Sequence, residues 1–522
     1  VRWGEGPHTI ALVFLPLFGL FLSRLLESRR LRDMLAASLF LALVAMTNAV
    51  VIWPALLLVV ALVLGEMTQK SVDLVGLAKR ILALMILTLG LLAFWYNLPF
   101  VTTFFREGGG PLANWLAMLP WGLILFLGAV LAIFTLVKKI TQRLVGAAVA
   151  IFWFLMLFAI VFVYYASGSN QLEYVPQALR LNTEVDLALA VLFGVLISNL
   201  YSFLLKFPGR LRVLGMVAAA LVFILPVGLL IVWGMRLGAV LPAYTKPLSA
   251  TQIGNIENTA EFKVARKLKE LTTGTDQRVL APGNYGFWLN YFEDVPQLRG
   301  ALFQSSTHYW PDHIYYQVTN GPDAAISLAW LKIANIGKVV YTTIGSAEPF
   351  KDFKVPESKF EGILTKIDQE SGDIYYDVPL KNDSLAKVVD EAAILAVERP
   401  INAIDEQPLF AYADLLGQSA DKRLHAKQIE NSRWRISGEI GEGEAVLVQQ
   451  TYDAGWHVKQ GGWKVVKDPL GFTLLVPKKA GSFEIDLIYR RPLAVWLGYL
   501  LTLGTVGWIV RRLIRDYQGK SG

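Results

Sequence analysis

The chain contains no cysteine and only five histidines among its 522 residues. The lack of cysteine excludes disulfide bonds, thiol nucleophiles and cysteine-ligated metals. Charged residues make up 17% of the chain, whereas a soluble domain carries about a quarter. This low charge, combined with 54% hydrophobic residues, argues against a protein that is soluble throughout. The 12% of aromatic residues argues equally against a disordered chain.

Several catalytic motifs are also absent. There is no GxxxxGK[ST] loop, so an ATP-driven motor is not indicated, and neither HExxH nor GxSxG occurs. The net charge is +7, an excess that in membrane proteins typically follows topology, and we expect no nucleic-acid partner. The chain starts at Val1 rather than at a methionine, so we expect it to be part of a longer protein.

What the sequence has in abundance is long apolar segments. They fill residues 8–244 and return at 491–514, and a bilayer-spanning helix needs about 20 such residues. The run 33–65 is long for one span and short for two, and Asn48 and Pro54 interrupt it. The unambiguous segments are 8–26, 81–101, 117–137, 145–165, 187–205, 213–237 and 492–510.

The distribution of Lys and Arg decides how to divide the run 33–65. Two helices there place seventeen basic residues in the loops of one side and three in the short loops of the other. A single helix reduces the contrast to 14 against 6. Because short cytoplasmic loops carry the basic excess, we predict a multi-pass protein of the cell membrane with about nine spans. Residues 245–490 then lie outside the cytoplasm and the C-terminus lies inside.

The polar part of the chain has two patterns. Residues 245–384 contain helix-then-strand pairs, 257–272 with 278–282 and a second helix followed by 338–343, which predicts an extracytoplasmic α/β region. Residues 385–490 contain short alternating segments separated by Gly-rich turns, which predicts an extracytoplasmic β-sandwich. The predicted organisation is a polytopic helical domain at 1–244, these two regions, and a final span with a basic tail at 491–522.

Polar residues collect at the predicted outer face of the membrane. In WGEGPH, Glu5 and His8 stand at the mouth of the first span and could bind a divalent metal ion or act as acid and base. The favoured alternative is that they are solvated residues at a helix start. Asn48, in the turn between the second and third spans, could contact substrate, although a structural hydrogen-bonding role is favoured at that depth.

The outer loop 166–186 holds the other candidates. Arg180 could bind a lipid-linked phosphate while Glu184 or Asp186 handles the acceptor, and Glu173 could contribute to binding. Alternatively, Arg180 and Glu184 could simply pair at i,i+4 on a helix face. A separate stretch, 284–310, is rich in Trp and Tyr with amides, which suits sugar binding or a folded core; the core is favoured.

Five stretches of the sequence resemble a known group of membrane enzymes. They are GPHTIALVFLPLFGLFL, ALVAMTN, YVPQALRLNTEVDLAL, RVLAPGNYGFWLNYFEDVPQLRG and YDAGWHVKQGG…SFEIDLIYRRP. With these the chain resembles the GT-C superfamily of polytopic glycosyltransferases, most closely the prokaryotic membrane proteins labelled "6-pyruvoyl-tetrahydropterin synthase-related". The resemblance implies transfer of a sugar from a polyprenyl-phosphate carrier in the membrane to a glycan or protein acceptor on the extracytoplasmic side.

Two departures from the family pattern matter. Family members carry an acidic motif in the first outer loop, which here would precede Val1, and the hairpin reads Thr47–Asn48 where TH is expected. Nothing in the residues supports pterin chemistry. A second hypothesis is a non-catalytic membrane scaffold or transporter-like protein that displays an outer domain. The scarcity of charges within the spans favours the enzyme over a transporter.

The predicted topology can be tested with single cysteines, because the chain has no cysteine of its own. We expect Gly300→Cys to react with an impermeant maleimide in intact cells, and Val75→Cys to react only after the cells are permeabilised. Equal labelling of both positions in intact cells would contradict the orientation.

Overall fold

The computed structural model describes residues 6–67, 73–103, 142–167, 178–206, 255–298, 310–418 and 421–518, with isolated positions between 209 and 232. The chain divides into two compact units. The helical unit comprises residues 1–102, 110–249 and 493–522. Residues 103–109 and 250–492 form a second unit, which we call the outer unit after its predicted location. The predicted span 117–137 and most of 213–237 lie outside the described residues.

Within the described residues, six helical segments are long and apolar enough to cross a membrane, as expected of a multi-pass membrane protein. A further apolar helix is 17 residues long. The total of nine spans stays a prediction. The helices of this unit are α1 (Gly6–Ser28), α2 (Leu31–Thr47), α3 (Ile52–Met67), α4 (Leu74–Leu92), α5 (Leu98–Thr103), α6 (Gln142–Ala166), α7 (Asn182–Leu204) and α14 (Leu493–Gln518).

The run 33–65 forms two helices, as the distribution of basic residues favoured. The first ends at Thr47, Asn48 is extended, and a 3₁₀ turn over Ala49–Val51 leads into the second helix. The Asn48 side chain accepts a hydrogen bond from the Val50 amide at 2.9 Å. Pro54 falls in the first turn of α3, where a missing amide hydrogen costs no intrahelical bond. The break is therefore hydrogen-bonded locally.

The last helix, α14, is fastened to α4 by close backbone approach. The Thr502 hydroxyl accepts from the Phe94 amide at 3.0 Å and donates to the Gly90 carbonyl at 2.9 Å. A Cβ atom at Gly498 would lie 2.3 Å from the Ala93 carbonyl oxygen. Small residues and one hydroxyl thus allow contact and satisfy the backbone where α4 ends, as membrane helix pairs require.

The first part of the outer unit is an α/β layer whose sheet has the order β1-β2-β4-β3. Strands β1 and β2 are parallel, and the other pairs are antiparallel. Both predicted helix-then-strand pairs are present, α8 with β1 and α11 with β2. The elements are α8 (Ala260–Leu271), β1 (Arg278–Leu280), α9 (Gly283–Phe292), α10 (Trp310–Thr319), α11 (Ala324–Ile333), β2 (Ile336–Thr342), β3 (Thr365–Glu370) and β4 (Asp373–Asp377).

The second part consists of two four-stranded sheets, β10-β11-β8-β5 and β6-β7-β12-β9. Val446 and Leu475 of one sheet share a buried cluster with Ile436 and Leu487 of the other, which is the arrangement of a β-sandwich. The strands are β5 (Ala386–Asp390), β6 (His425–Glu430), β7 (Arg433–Ile440), β8 (Glu444–Thr451), β9 (Trp456–Val458), β10 (Trp463–Lys467), β11 (Phe472–Pro477) and β12 (Gly481–Tyr489).

Two helices within 385–490 were not predicted, α12 (Glu391–Ala396) and α13 (Glu406–Gln418). The signal for α13 was available, because Leu409, Tyr412 and Leu416 have helical spacing and all three are buried. They pack in the same cluster as Trp330 of α11 and Leu447 of β8. The helix therefore joins the α/β layer to the sandwich.

A buried lysine lies at that junction. The Lys387 ammonium of β5 donates to the Asn335 side-chain oxygen at 3.0 Å and to the Asn382 carbonyl. Asn335 has a φ of 55°. Its side-chain amide donates to the carbonyls of Asp276 at 3.2 Å and Asp383 at 3.1 Å. Burial lowers the pKa of Lys387 to about 7, the nearby Asp383 and Asp276 carboxylates opposing this shift. A neutral amine still has the two N–H groups that its two acceptors need.

We expect the pH dependence of the outer unit's stability to reflect Lys387. Between pH 7 and 10 the unfolded chain holds a proton on this lysine that the folded chain lacks, so stability rises with pH in that window. Lys387→Met should reduce this slope, measured by thermal unfolding of the full chain in detergent at pH 6.5 and 9. The exposed Lys427→Met on β6 is the matched control. An unchanged slope in Lys387→Met would contradict the assignment.

Candidate functional site

Three segments of the helical unit that the sequence marked as polar come together in the structure. They are the beginning of α1, the 3₁₀ turn Ala49–Val51 that Asn48 caps, and the 3₁₀ turn Ala178–Leu181 that leads into α7. The turn Ala49–Val51 packs against both α1 and the turn Ala178–Leu181. Helix ends leave backbone groups without intrahelical partners, so polar side chains are needed where these ends meet.

The centre of this region is a buried pair. The His8 Nε2 atom of α1 lies 2.9 Å from the Glu184 Oε1 atom of α7, and the two side chains are 5% and 0% exposed. The Thr183 hydroxyl donates to Glu184 Oε2 at 3.0 Å and lies 3.2 Å from His8 Nε2. A buried carboxylate without a partner is very costly, so His8 and Thr183 make the burial of Glu184 tolerable.

The hydrogen-bond pattern indicates which His8 nitrogen carries the proton when the ring is neutral. The single Thr183 hydrogen goes to Glu184 Oε2, so the Thr183 oxygen can only accept from Nε2. Nε2 also faces the carboxylate, although Glu184 Oε1 is not aligned for a regular hydrogen bond. These contacts favour hydrogen on Nε2, which leaves the lone pair on Nδ1.

The Nδ1 atom is the unusual feature of the pair. It is buried and has no hydrogen-bond partner among the residues that the structure describes. Buried polar side-chain atoms are nearly always hydrogen-bonded, and exceptions call for an explanation. An unshared imidazole nitrogen backed by a carboxylate has the arrangement of a general base.

The other candidate residues are placed as follows. Arg180 and Asp186 are exposed, the former in the turn before α7 and the latter in the first turns of α7. Asn48 is half-buried and caps the turn after α2 through its side-chain oxygen, which is the structural role favoured for it. Glu5 and Glu173 lie outside the described residues, so their roles stay predictions.

Glu184 does not pair with Arg180, which was the alternative role considered for these two residues. Its carboxylate contacts His8 and Thr183, and Arg180 belongs to a 3₁₀ turn rather than to α7. The i,i+4 spacing therefore did not describe a helix face. Sequence reasoning also missed Thr183, whose position in LNTEVD next to Glu184 was the available signal.

A divalent metal ion at this site stays a prediction. His8 and Glu184 provide two potential ligands. Over the described ranges, no group of three or more His, Asp and Glu side chains is arranged to hold a metal. Glu5, the further ligand named from the sequence, belongs to the part of the chain that the structure leaves undescribed.

Comparison of the chain with protein-family models, with curated proteins and with solved structures finds no match. The resemblance to GT-C glycosyltransferases therefore rests on the residues quoted above, and the chemistry must be argued from the geometry of the site.

We expect His8 and Glu184 to be energetically coupled. Removing His8 leaves the buried Glu184 carboxylate without its partner, and removing Glu184 leaves the Nε2 hydrogen without its acceptor; leaving a buried polar group unsatisfied costs about 1–3 kcal/mol, and more for a charged one. His8→Leu and Glu184→Leu should each lower the thermal stability of the full chain in detergent, and the double variant should lose clearly less than the sum. Asp186→Leu, the same change as in Glu184→Leu at an exposed position, should have little effect. Strict additivity would show that the two side chains do not interact.

Proposed function

We propose that the protein is a membrane glycosyltransferase that moves a sugar from a polyprenyl-phosphate carrier to a hydroxyl acceptor on the extracytoplasmic side. The observation that carries the proposal is the buried His8–Glu184 pair at the meeting point of three helix ends, whose Nδ1 atom has no partner among the described residues. Ionisable residues buried between membrane helices are rare and mark functional sites. The resemblance of the same segments to GT-C enzymes supplies the reaction class.

The proposed chemistry needs one base and one phosphate-binding group. The acceptor hydroxyl loses its proton to His8 Nδ1 while its oxygen forms a bond to the sugar C1 carbon. The bond between C1 and the carrier phosphate breaks, and the phosphate oxygen keeps the electron pair. Glu184 stabilises the imidazolium that forms, and Thr183 holds the Glu184 carboxylate in place.

Arg180 is assigned to the donor phosphate. It is exposed in the turn that directly precedes α7, the helix that carries Glu184. A planar guanidinium binds phosphate oxygens bidentately and more strongly where water is partly excluded. Asp186, Asn48, Glu5 and Glu173 stay candidates for contacts with the sugar or the acceptor.

The assignment of His8 and Glu184 predicts that conservative variants lose sugar transfer while the amount of membrane-inserted protein stays the same. In vesicles that contain the full chain and tritiated hexoses linked to polyprenyl phosphate, His8→Asn and Glu184→Gln should each reduce transfer by about 10²–10⁴-fold. Glu27→Gln, an exposed position near the other end of α1, is the control for the same chemical change and should transfer normally. Near-normal transfer by His8→Asn would exclude the proposed base. Absence of transfer by the wild-type chain with every donor tested would instead favour a scaffold.

The assignment of Arg180 makes a separate prediction. Arg180→Ala should abolish transfer, and Arg180→Lys should retain only a fraction, because lysine keeps the charge but loses the bidentate fork. Both variants should insert normally, since the side chain is exposed. Near-normal transfer by Arg180→Ala would end the assignment of this residue.

A further inference from the structure

The outer unit carries a surface of exposed aromatic side chains on α9. Tyr285 and Leu289 of this helix are buried in the core, whereas Phe287, Trp288 and Tyr291 are 45%, 46% and 72% exposed. The sequence favoured a core role for the aromatic residues of 284–310, and the structure assigns only part of them to it. Large apolar side chains that are exposed together mark a surface that contacts something else.

Four of the aromatic rings contact one another. Trp288 contacts Tyr291 with ring centroids 5.6 Å apart and stacks on Phe292 at 6.0 Å. Phe292 in turn meets Phe262 of α8 at 5.4 Å. We call Phe262, Phe287, Trp288, Tyr291 and Phe292 the aromatic patch. It joins two helices, so it is a feature of the fold rather than of a single loop.

The patch is held on a fixed support. The α9 amides of Gly283 and Asn284 donate to the carboxylates of Asp352 at 2.9 Å and Glu348 at 3.1 Å. The Tyr285 hydroxyl donates to Asp373 at 2.7 Å on the buried side of the same helix. These carboxylates also occupy the N-terminus of α9, so its first amides already have acceptors. The exposed rings are the part of α9 that can contact a partner.

The polar groups beside the patch argue against a sugar as its ligand. A sugar-binding aromatic surface needs neighbouring amides or carboxylates that are free to bond hydroxyl groups. Here the Asn290 amide donates to the Val295 carbonyl at 2.7 Å. Gln297 donates to the Asn290 oxygen at 2.5 Å and to the Gly286 carbonyl at 3.1 Å. Both of these side-chain amides therefore have partners within the fold.

The surroundings suit the headgroup region of a bilayer. Trp and Tyr with an apolar body and a polar tip are enriched at that depth, and basic residues beside them attract anionic lipids. Arg266 of α8 lies over the Phe262 ring at 5.5 Å and pairs with Glu293 at 3.1 Å. Lys263 and Lys269 on the same helix are exposed, and the Lys269 ammonium donates to the Asp294 carbonyl at 2.9 Å. Only three residues, 490–492, separate β12 from α14, so the chain of this unit continues directly into a helix that is apolar enough to enter a membrane.

We propose that the aromatic patch inserts into the headgroup region of the lipid bilayer and so docks the outer unit onto the membrane surface. Binding would come from burying the exposed rings, with Lys263 and Lys269 adding attraction to anionic headgroups. This inference concerns the outer unit alone and does not depend on the transferase assignment.

The absence of cysteine allows a direct test with spin labels. Tyr291→Cys and, separately, Trp288→Cys are labelled with a nitroxide in the full chain, reconstituted in phosphatidylcholine vesicles with one-fifth phosphatidylglycerol. We expect collisions with oxygen to exceed those with a water-soluble nickel chelate at both positions. Lys427→Cys on β6, exposed on the same unit, should show the opposite ratio. Thermal unfolding of each labelled protein should match that of the unmodified chain. Because two positions are labelled separately, the test still works if one of the two variants fails to fold.

Three results would overturn the proposal. If the labels at 288 and 291 collided more often with the nickel chelate than with oxygen, as expected for the label at 427, the patch would face water. Low collision rates with both reagents would mean that protein covers it. Protection of the labels from nickel by added soluble oligosaccharides would assign the patch to glycans instead.

Discussion

The constraint on which the helical unit depends is that no backbone polar group can be left unpaired within a bilayer. The helices satisfy it along their length, and each interruption needs a side chain to do so. Asn48 serves the break between α2 and α3, and Thr502 serves the end of α4. Polar residues are therefore concentrated where helices end, and there the fold brings His8 and Glu184 together.

Burial of ionisable groups has different consequences in the two units. In the outer unit, Lys387 has both its acceptors within the fold, and its lowered pKa lets it stay neutral as a structural link between the α/β layer and the sandwich. In the helical unit, Glu184 is paired, but its partner His8 keeps a buried nitrogen that no residue in the described part of the chain contacts by a hydrogen bond. A satisfied network serves stability, whereas an unsatisfied atom is a reason to look for a ligand or a reaction.

The proposed site and the aromatic patch are both places where the ordinary rules of burial are broken, in opposite senses. One buries charge within an apolar bundle, and the other exposes aromatic rings on a polar domain. Each exception costs stability in isolation, and function is the usual reason for keeping it. For the patch, the short connection from β12 to the apolar helix α14 is the reason for proposing a bilayer as its partner.

Sequence alone determined the features that depend on composition and local periodicity. It separated apolar from polar segments, divided the run 33–65 at Asn48, and predicted the helix-then-strand pairs and the strands after residue 385. It missed α13, whose helical spacing was hidden among strand-like segments, and it left open whether Glu184 pairs with Arg180, which the structure places in a 3₁₀ turn. The contact between α1 and α7 spans 175 residues from His8 to Thr183. The sequence placed His8 and the loop 166–186 together at one predicted membrane face, but only the tertiary structure decided that His8 pairs with Glu184 and which face of α9 is exposed. Packing and not periodicity chooses among distant partners.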